Sequence, residues 1–330
     1  MKIAFNGVGC GWGNNGGTQS VFRMAMALAR RGHTVEIWSD SPNQCTWFPL
    51  EGVTYRILKL DDAPMVDVLI AGGCGTVKDT YKYPRKGIGV NWVRAIETWC
   101  VGERSLFKQY KYRMPLWVNS EWMRDRIQKV IKRPNIPVIY PGLPLDDFYR
   151  VKGTKTNGGF TIGCLYSTKP RKQWQVFMKL RVKLISNSDI RYVGFGAEGD
   201  PGVGLDEYLQ CPSMEDKRAL YSQCDLWFAP TNNEGLHIPP MEAALCGAVV
   251  IGNAEPSAGM VDHLEDGQTG YTFRNVEDAC RLVKHCYDNR PLLKGLNAAH
   301  REVIRTKIGS IETNAKRLER QLETELGIPK

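Results

Sequence analysis

Several marks of specialised protein classes are missing from this sequence. None of its 10 cysteines stands in a C-x-x-C pair or in a Cys/His spacing of the zinc type, so neither a disulfide framework nor a zinc site is expected, and the cysteines read as reduced, mostly buried small apolar residues. No apolar run approaches the roughly 20 residues of a membrane span; the stretch 66–75 is among the longest. With 42% hydrophobic and 24% charged residues, the chain has little room for long disorder or low complexity. Met1-Lys2-Ile3-Ala4-Phe5 enters a strand-like pattern without the apolar region of a secretory signal. A cytoplasmic protein is therefore expected, at most peripheral on the inner face of a membrane.

Acidic residues are scarce in one place. The formal charge is +9 over 330 residues. Residues 1–150 hold 21 Lys/Arg against 13 Asp/Glu, whereas 151–330 hold 23 against 22. Between Lys78 and Arg133 the count is 14 basic to 5 acidic. A positive face there suits an anionic partner such as a membrane surface, a phosphorylated acceptor or nucleic acid.

Two strand-then-helix series can be read along the chain, which means α/β layers. In the first, 2–6 is a buried strand, 7–17 a glycine-rich turn and 18–31 an amphipathic helix; strands follow at 34–39, 53–58, 66–71, 89–93, 116–119 and 137–140. The segment 149–159 is polar and the best linker. The second series has strands at 160–165, 190–195, 226–230 and 249–252, with helices at 173–185, 213–224, 240–245 and 276–289. A terminal helix at 311–326 has one apolar face to bury. The expected domains are 1–150, 151–310 and a C-terminal helix 311–330 that either crosses back to the first domain or joins a dimer. The fold expected is α/β, two Rossmann-like domains facing each other across a cleft, with ligand at the carboxyl ends of the parallel strands.

Two segments carry chemistry. The run from Gly7 to Gly17 follows a strand and opens a helix, so its amides can approach a phosphate; with Asp40 near the acidic position of a dinucleotide fingerprint, it is only a weak dehydrogenase signal. More specific is Thr231-Asn232-Asn233-Glu234-Gly235-Leu236-His237-Ile238-Pro239-Pro240-Met241-Glu242. Glu234 follows a strand and Glu242 lies on the next helix, with backbone between them that can donate at a helix N-terminus. One carboxylate can grip sugar hydroxyls and the other ribose hydroxyls, with amides for a diphosphate. Such an arrangement would clamp a nucleotide sugar, whereas an isolated pair at this spacing is more often two solvated surface glutamates.

With these residues in place, the sequence resembles the retaining glycosyltransferase family 4 of the GT-B fold. The likeness runs through Gly16-Gly17 with Arg31-Gly32-His33-Thr34-Val35, then Val138-Ile139-Tyr140-Pro141-Gly142-Leu143, then Tyr221-Ser222-Gln223-Cys224-Asp225-Leu226, the clamp segment and Asp266-Gly267-Gln268-Thr269-Gly270-Tyr271. It implies that Glu242 holds the ribose, that Glu234 contacts the transferred sugar, and that the backbone of Gly235, Leu236, His237 and Ile238 faces sugar and diphosphate. It further implies that Lys172 lies on the diphosphate and that Gly16 and Gly17 approach the same phosphates from the other domain. No metal or cofactor is then required; the co-substrate is a nucleoside-diphosphate sugar, UDP- or GDP-linked. Retention through front-face displacement is the family's usual account, with Glu234 orienting the sugar.

The sequence departs from the family at three points, one being that many members place an N-domain histidine near the reacting carbon, whereas the only histidine of this first half is His33, in the turn from helix to strand. Gly163 is followed by Cys164 where Arg is common, so Arg171 or Lys169 would supply the charge. His237 replaces a glycine and can hydrogen-bond the sugar or phosphate, which makes it a catalytic candidate beside Glu234. Acceptor recognition is expected in the first domain, where Trp92 and Trp99 can stack on sugar faces while Arg94 or Glu97 bonds hydroxyls. The acceptor expected is a glycan or lipid-linked hydroxyl. The alternatives are a glycosyltransferase acting on nucleic acid and a catalytically silent nucleotide-sugar-binding protein.

Overall fold

The computed structural model describes residues 1–41, 45–154, 159–184 and 189–328. The chain divides into two compact units, Met1–Leu143 with Gly309–Lys330, and Pro144–Ile308. Each is built on a six-stranded sheet whose pairings are parallel.

The first unit contains β1 (Lys2–Asn6), β2 (Thr34–Ser39), β3 (Val53–Ile57), β4 (Val66–Ala71), β5 (Lys86–Val93) and β6 (Leu116–Val118), in the order β3-β2-β1-β4-β5-β6. Its helices are α1 (Gly16–Arg30), α2 (Val77–Lys82), α3 (Glu103–Gln109) and α4 (Glu121–Ile131). Ile3, Ala4 and Phe5 are fully buried, the continuous apolar run of a strand covered on both faces. Asn15 caps α1, its Oδ1 accepting from Thr18 N at 3.1 Å. The buried stripe Val21, Phe22, Ala25 and Leu28 lies against the sheet.

The second unit contains β7 (Phe160–Leu165), β8 (Ile190–Gly196), β9 (Glu207–Gln210), β10 (Leu226–Ala229), β11 (Val249–Asn253) and β12 (Tyr271–Phe273), in the order β12-β11-β10-β7-β8-β9. Counted from its own first strand, this is the same order as in the first unit. Its helices are α5 (Trp174–Lys183), α6 (Met214–Gln223), α7 (Ile238–Leu245), α8 (Val276–Asp288) and α9 (Arg290–Val303). In both sheets the order reverses beside the first strand, so the carboxyl ends of β1 and β4, and of β7 and β10, are where crevices form.

The last helix, α10 (Ile311–Leu326), belongs to the first unit. Its Ala315, Leu318 and Leu322 are fully buried in the core that also holds α1, each leucine stabilising by about 1.5–3 kcal/mol. His33 Nε2 lies 2.8 Å from Glu319, and Arg30 2.8 Å from Glu312. Leu143 forms a parallel bridge to Ser310. At Gly142 the φ is +70°, and a Cβ would lie 2.5 Å from Ser310 O, so only glycine lets these two backbones pass.

One sequence expectation changes here. The strand expected at 137–140 is a single bridge between Val118 and Val138, because Pro137 has no N–H to donate. Of the linker at 149–159, residues 155–158 lie outside the described residues, as does the end of the helix expected at 173–185. Among the described residues no helix is long and apolar enough to cross a membrane.

Candidate active site

The crevice of the second unit is assembled from three turns. After β7 the chain runs through Ser167 and Thr168 into a short 3-10 turn, Pro170–Lys172, before α5. After β10 it runs through Thr231 to Glu234 and enters α7. After β11 it makes a second 3-10 turn, Pro256–Ala258. Backbone bonds tie them together: Asn232 N donates to Arg171 O at 2.9 Å, Glu234 N to Ser257 O at 2.8 Å, and His237 N to Gly259 O at 3.0 Å. Gln173 and Asn233 hold left-handed φ values of 55° and 52°, a strain that persists where surrounding contacts over-determine it.

These ties bring Lys172, Arg171 and Glu234 to one point. Lys172 Nζ lies 2.7 Å from Glu234 Oε1, with Arg171 Nε 3.7 Å from the same oxygen. Gly259 backs Glu234: its φ is +73°, and a Cβ would come within 3.0 Å of Glu234 Cβ and 3.1 Å of its carbonyl.

His237 caps α7 and is 2% exposed. Its Nδ1 lies 3.0 Å from Thr231 Oγ1, and its buried Nε2 has no hydrogen-bond partner among the described residues. Burial drives the imidazole pKa well below its ordinary value, reinforced by the charge of Lys172 and by His263. A neutral ring with one unsatisfied nitrogen can bond a ligand without carrying charge.

Glu242 is 4% exposed on the first turns of α7. Its Oε2 accepts from Tyr221 OH at 2.9 Å and lies 3.1 Å from Lys217 Nζ, which sits 3.3 Å from Oε1. Tyr221 and Lys217 are four residues apart on α6, so both reach Glu242 from one face. Burial and the adjacent Glu242 raise the Tyr221 pKa well above its ordinary range, leaving the phenol a donor. Lys217 Nζ also lies 5.0 Å from the centre of the Phe148 ring. The sequence reading missed this pair, although the i, i+4 spacing of Lys217 and Tyr221 on a helix preceding the clamp was a usable signal. It also missed Glu198, which accepts from Ser167 Oγ at 2.7 Å. Burial would raise the Glu198 pKa, but bonds from Ser167 and from backbone amides including Thr168, with the charge of Lys169, lower it.

The backbone of Gly235 to Ile238 is expected to face sugar and diphosphate; within it, the His237 N–H donates to Gly259 O at 3.0 Å. The cysteine at 164 is buried with its thiol pKa well raised by burial, and Lys169 opens the turn that carries Arg171 and Lys172.

In the first unit, Gly16 and Gly17 form the first residues of α1. The acceptor quartet separates. Trp92 is 2% exposed and its Nε1 donates to Ile139 O at 3.1 Å, so the ring is core and cannot stack on a sugar. Arg94 donates to Gly72 O and lies 5.8 Å from the Trp92 ring centre. Burial lowers its pKa, while Glu97 and Cys10 oppose this. Glu97 accepts from Cys74 N at 2.6 Å, which makes its first role the ordering of the turn after β4. Trp99 alone of the four is largely exposed, at 47%.

Residues 160–289 match the family model of glycosyl transferases group 1. The matched span contains Lys172, Glu234, His237 and Glu242. Over 84 residues, 26% of this chain, the sequence is 31% identical to the serotype-specific mannosyltransferase WbdA of Escherichia coli, and the matched stretch spans 10% of that protein's length. Among solved structures, HepE of Anabaena in complex with UDP-glucose has a TM-score of 0.82 at 13% identity, covering 98% of this chain and 100% of that one. Sucrose-phosphate synthase of Thermosynechococcus elongatus gives 0.80 at 13% identity, covering 98% and 99%. A glycosyltransferase of Rickettsia africae gives 0.78 at 15%, covering 99% of each chain. At these identities the likeness shows the fold, which is the two-domain α/β architecture called GT-B. The glycosyl transferases group 1 match places glycosyl transfer as the chemistry to which the second unit is similar.

Proposed function

We propose that the chain is a retaining glycosyltransferase, of the family 4 kind, that takes a sugar from a nucleoside-diphosphate donor. The observation that carries this reading is the meeting of Lys172 and Glu234 at 2.7 Å in the crevice between β7 and β10, with buried Glu242 on the following helix, all inside the span matched by the glycosyl transferases group 1 model. The same elements supply a cation for a diphosphate, a carboxylate for sugar hydroxyls and a second carboxylate for a ribose.

In this reading the donor's diphosphate takes over Lys172 and Arg171, which releases Glu234 to the hydroxyls of the sugar. Positive charge at Lys172 and Arg171 offsets charge developing on the leaving phosphate, so the mechanism invokes no metal ion. With Thr231 donating to Nδ1, His237 would present Nε2–H as a neutral donor to sugar or phosphate. The acceptor hydroxyl would attack the face from which the nucleotide departs, giving its proton to the leaving phosphate oxygen while Glu234 orients the sugar. Glu242 would bond ribose hydroxyls while Tyr221 and Lys217 hold it in place. We assign the acceptor, a glycan or lipid-linked hydroxyl, to the first unit, with Trp99 as the aromatic surface available to it.

The test has two stages. Thermal shifts against UDP, GDP, ADP and CMP and their sugars should single out one series, because a ligand at 100 times its dissociation constant adds about 2.7 kcal/mol. Proton NMR of the transferred or slowly hydrolysed sugar should then show the donor's anomeric configuration kept. Binding with no turnover in water or with any acceptor would favour a silent binding protein. Inversion would remove the retaining assignment.

A further inference from the structure

The first unit holds a groove that the reading above does not use. It lies at the amino end of β6, where the segment leading into that strand, the turn leaving α4 and the last turns of α10 meet, and it encloses about 710 Å3. Its lining includes Lys111, Arg113, Lys132 and Arg133 against one carboxylate, Glu325.

Some cations of the basic stretch are paired: Arg124 Nε lies 2.8 Å from Asp125, Arg126 2.6 Å from Glu103, Lys86 Nζ donates to Tyr81 O at 3.0 Å, and Arg85 and Arg94 donate to carbonyls. The cations of the groove are set apart by lining one concavity together with a single carboxylate. Among the described residues, Lys111, Arg113 and Lys132 have no carboxylate within the 4.0 Å of an ion pair. Arg133 instead ties the two walls together. Its Nη2 donates to Met114 O at 2.8 Å and its Nη1 to Tyr112 O at 3.4 Å. Burial lowers the Arg133 pKa, with Glu325 opposing.

The backbone is committed to this shape. Lys132 and Asn135 hold left-handed φ values of 55° and 53°, Lys132 as the C-cap that ends α4. Pro115, Pro134 and Pro137 stiffen the rim. Like charges held around one groove repel each other, and an anion placed among them removes that cost.

We propose that this groove binds a phosphate-bearing group, carried by an anionic phospholipid headgroup or by a soluble phosphate ester. The full-length protein is titrated with glycerol 3-phosphate by calorimetry at low salt, and tested for co-sedimentation with phosphatidylglycerol-containing vesicles against pure phosphatidylcholine vesicles. Lys111→Gln/Arg113→Gln alters two exposed side chains and should weaken binding at least about fivefold. Glu325→Gln should strengthen it about two- to threefold by removing the opposing charge. Lys172→Met, in the other unit, should bind as the parent does, and the double variant should keep the parent's nucleotide thermal shifts, so this site and the donor reading fail separately.

Vesicle binding displaced by glycerol 3-phosphate assigns the lipid source. Ester binding without vesicle binding assigns the soluble source. Either supports the site. Absence of saturable binding to both, or binding indifferent to the double variant and to Glu325→Gln, overturns it. Duplex DNA displacing the ester at far lower concentration through the same residues also overturns it, by giving the surface to nucleic acid.

Discussion

The two units repeat one strand order and end their strands in different chemistry. In the first, the turn after β4 spends Glu97 on the Cys74 amide and Arg94 on the Gly72 carbonyl. In the second, Lys172 meets Glu234, and Glu242 is buried beneath Lys217 and Tyr221. Topology positions a crevice in both, but the side chains at the carboxyl ends decide what it can hold. The second unit has concentrated charged groups out of water, and its carboxylates differ in how they are restrained. Glu234 is held by Lys172 and Arg171, the cations assigned to a diphosphate in the proposed reading, whereas Glu242 is fixed by Lys217 and Tyr221 on α6.

That contrast can be broken by variants, beginning with the largest effect. Glu242→Ala removes one partner of a buried ion pair and leaves Lys217 and Tyr221 facing a cavity. It should lower the stability of the second unit by about 3–5 kcal/mol, read as a shift of its thermal transition, and weaken nucleotide binding by about 1.5–3 kcal/mol. A stable variant with parental nucleotide affinity would show that Glu242 is neither structural nor part of the site.

Glu234→Gln should separate the carboxylates, lowering turnover by about 10²-fold or more while changing nucleoside-diphosphate affinity much less. Equal losses in both would merge their roles.

Acid sharpens the comparison further. His237 and His263 are held well below their ordinary pKa by burial, and His300 is lowered to about 3. His263 Nδ1 lies 2.9 Å from His300 Nε2, with both rings buried. The unfolded chain takes up protons near pH 6.5 that the folded unit refuses, so stability is full above that pH. It falls as pH drops toward 3, by about 1.4 kcal/mol per pH unit for each such histidine. His300→Gln should flatten this limb in thermal melts between pH 7 and 4; an unchanged slope would remove His300 from the account.

The smallest effect is expected at Gly259. A Cβ there meets Glu234 at 3.0 Å from a positive φ, so Gly259→Ala should destabilise by about 1 kcal/mol and lower turnover modestly by moving Glu234. Parental turnover would show that the turn yields without disturbing the carboxylate.

Much of this was legible in the sequence because local signals carried it. The apolar runs of β1, β7 and β10, the glycine-rich turn before α1 and the Ser213 cap of α6, whose Oγ accepts from Asp216 N, mark their elements directly. The short strands β9 and β12 escaped because three or four residues at a sheet edge carry little pattern. The helix α9 escaped because it begins directly after α8. In the site, the spacing of Glu234 and Glu242 was readable, but their environments were not. The pairing of Glu242 with Lys217 and Tyr221 depends on α6 packing beside α7. The burial of Trp92 depends on its facing the core that α10 helps to close. Periodicity could place Trp92 on a strand without showing which face was covered.

The most direct test of the central claim is calorimetric titration of the parent protein and of Lys172→Met with the nucleoside diphosphate chosen by the thermal screen. The account predicts saturable one-site binding to the parent, weakened tenfold or more when the lysine is replaced, about 1.4 kcal/mol. Binding equally tight in both proteins, or no binding of any nucleoside diphosphate to the parent, would contradict the assignment of this crevice to a nucleotide-sugar donor.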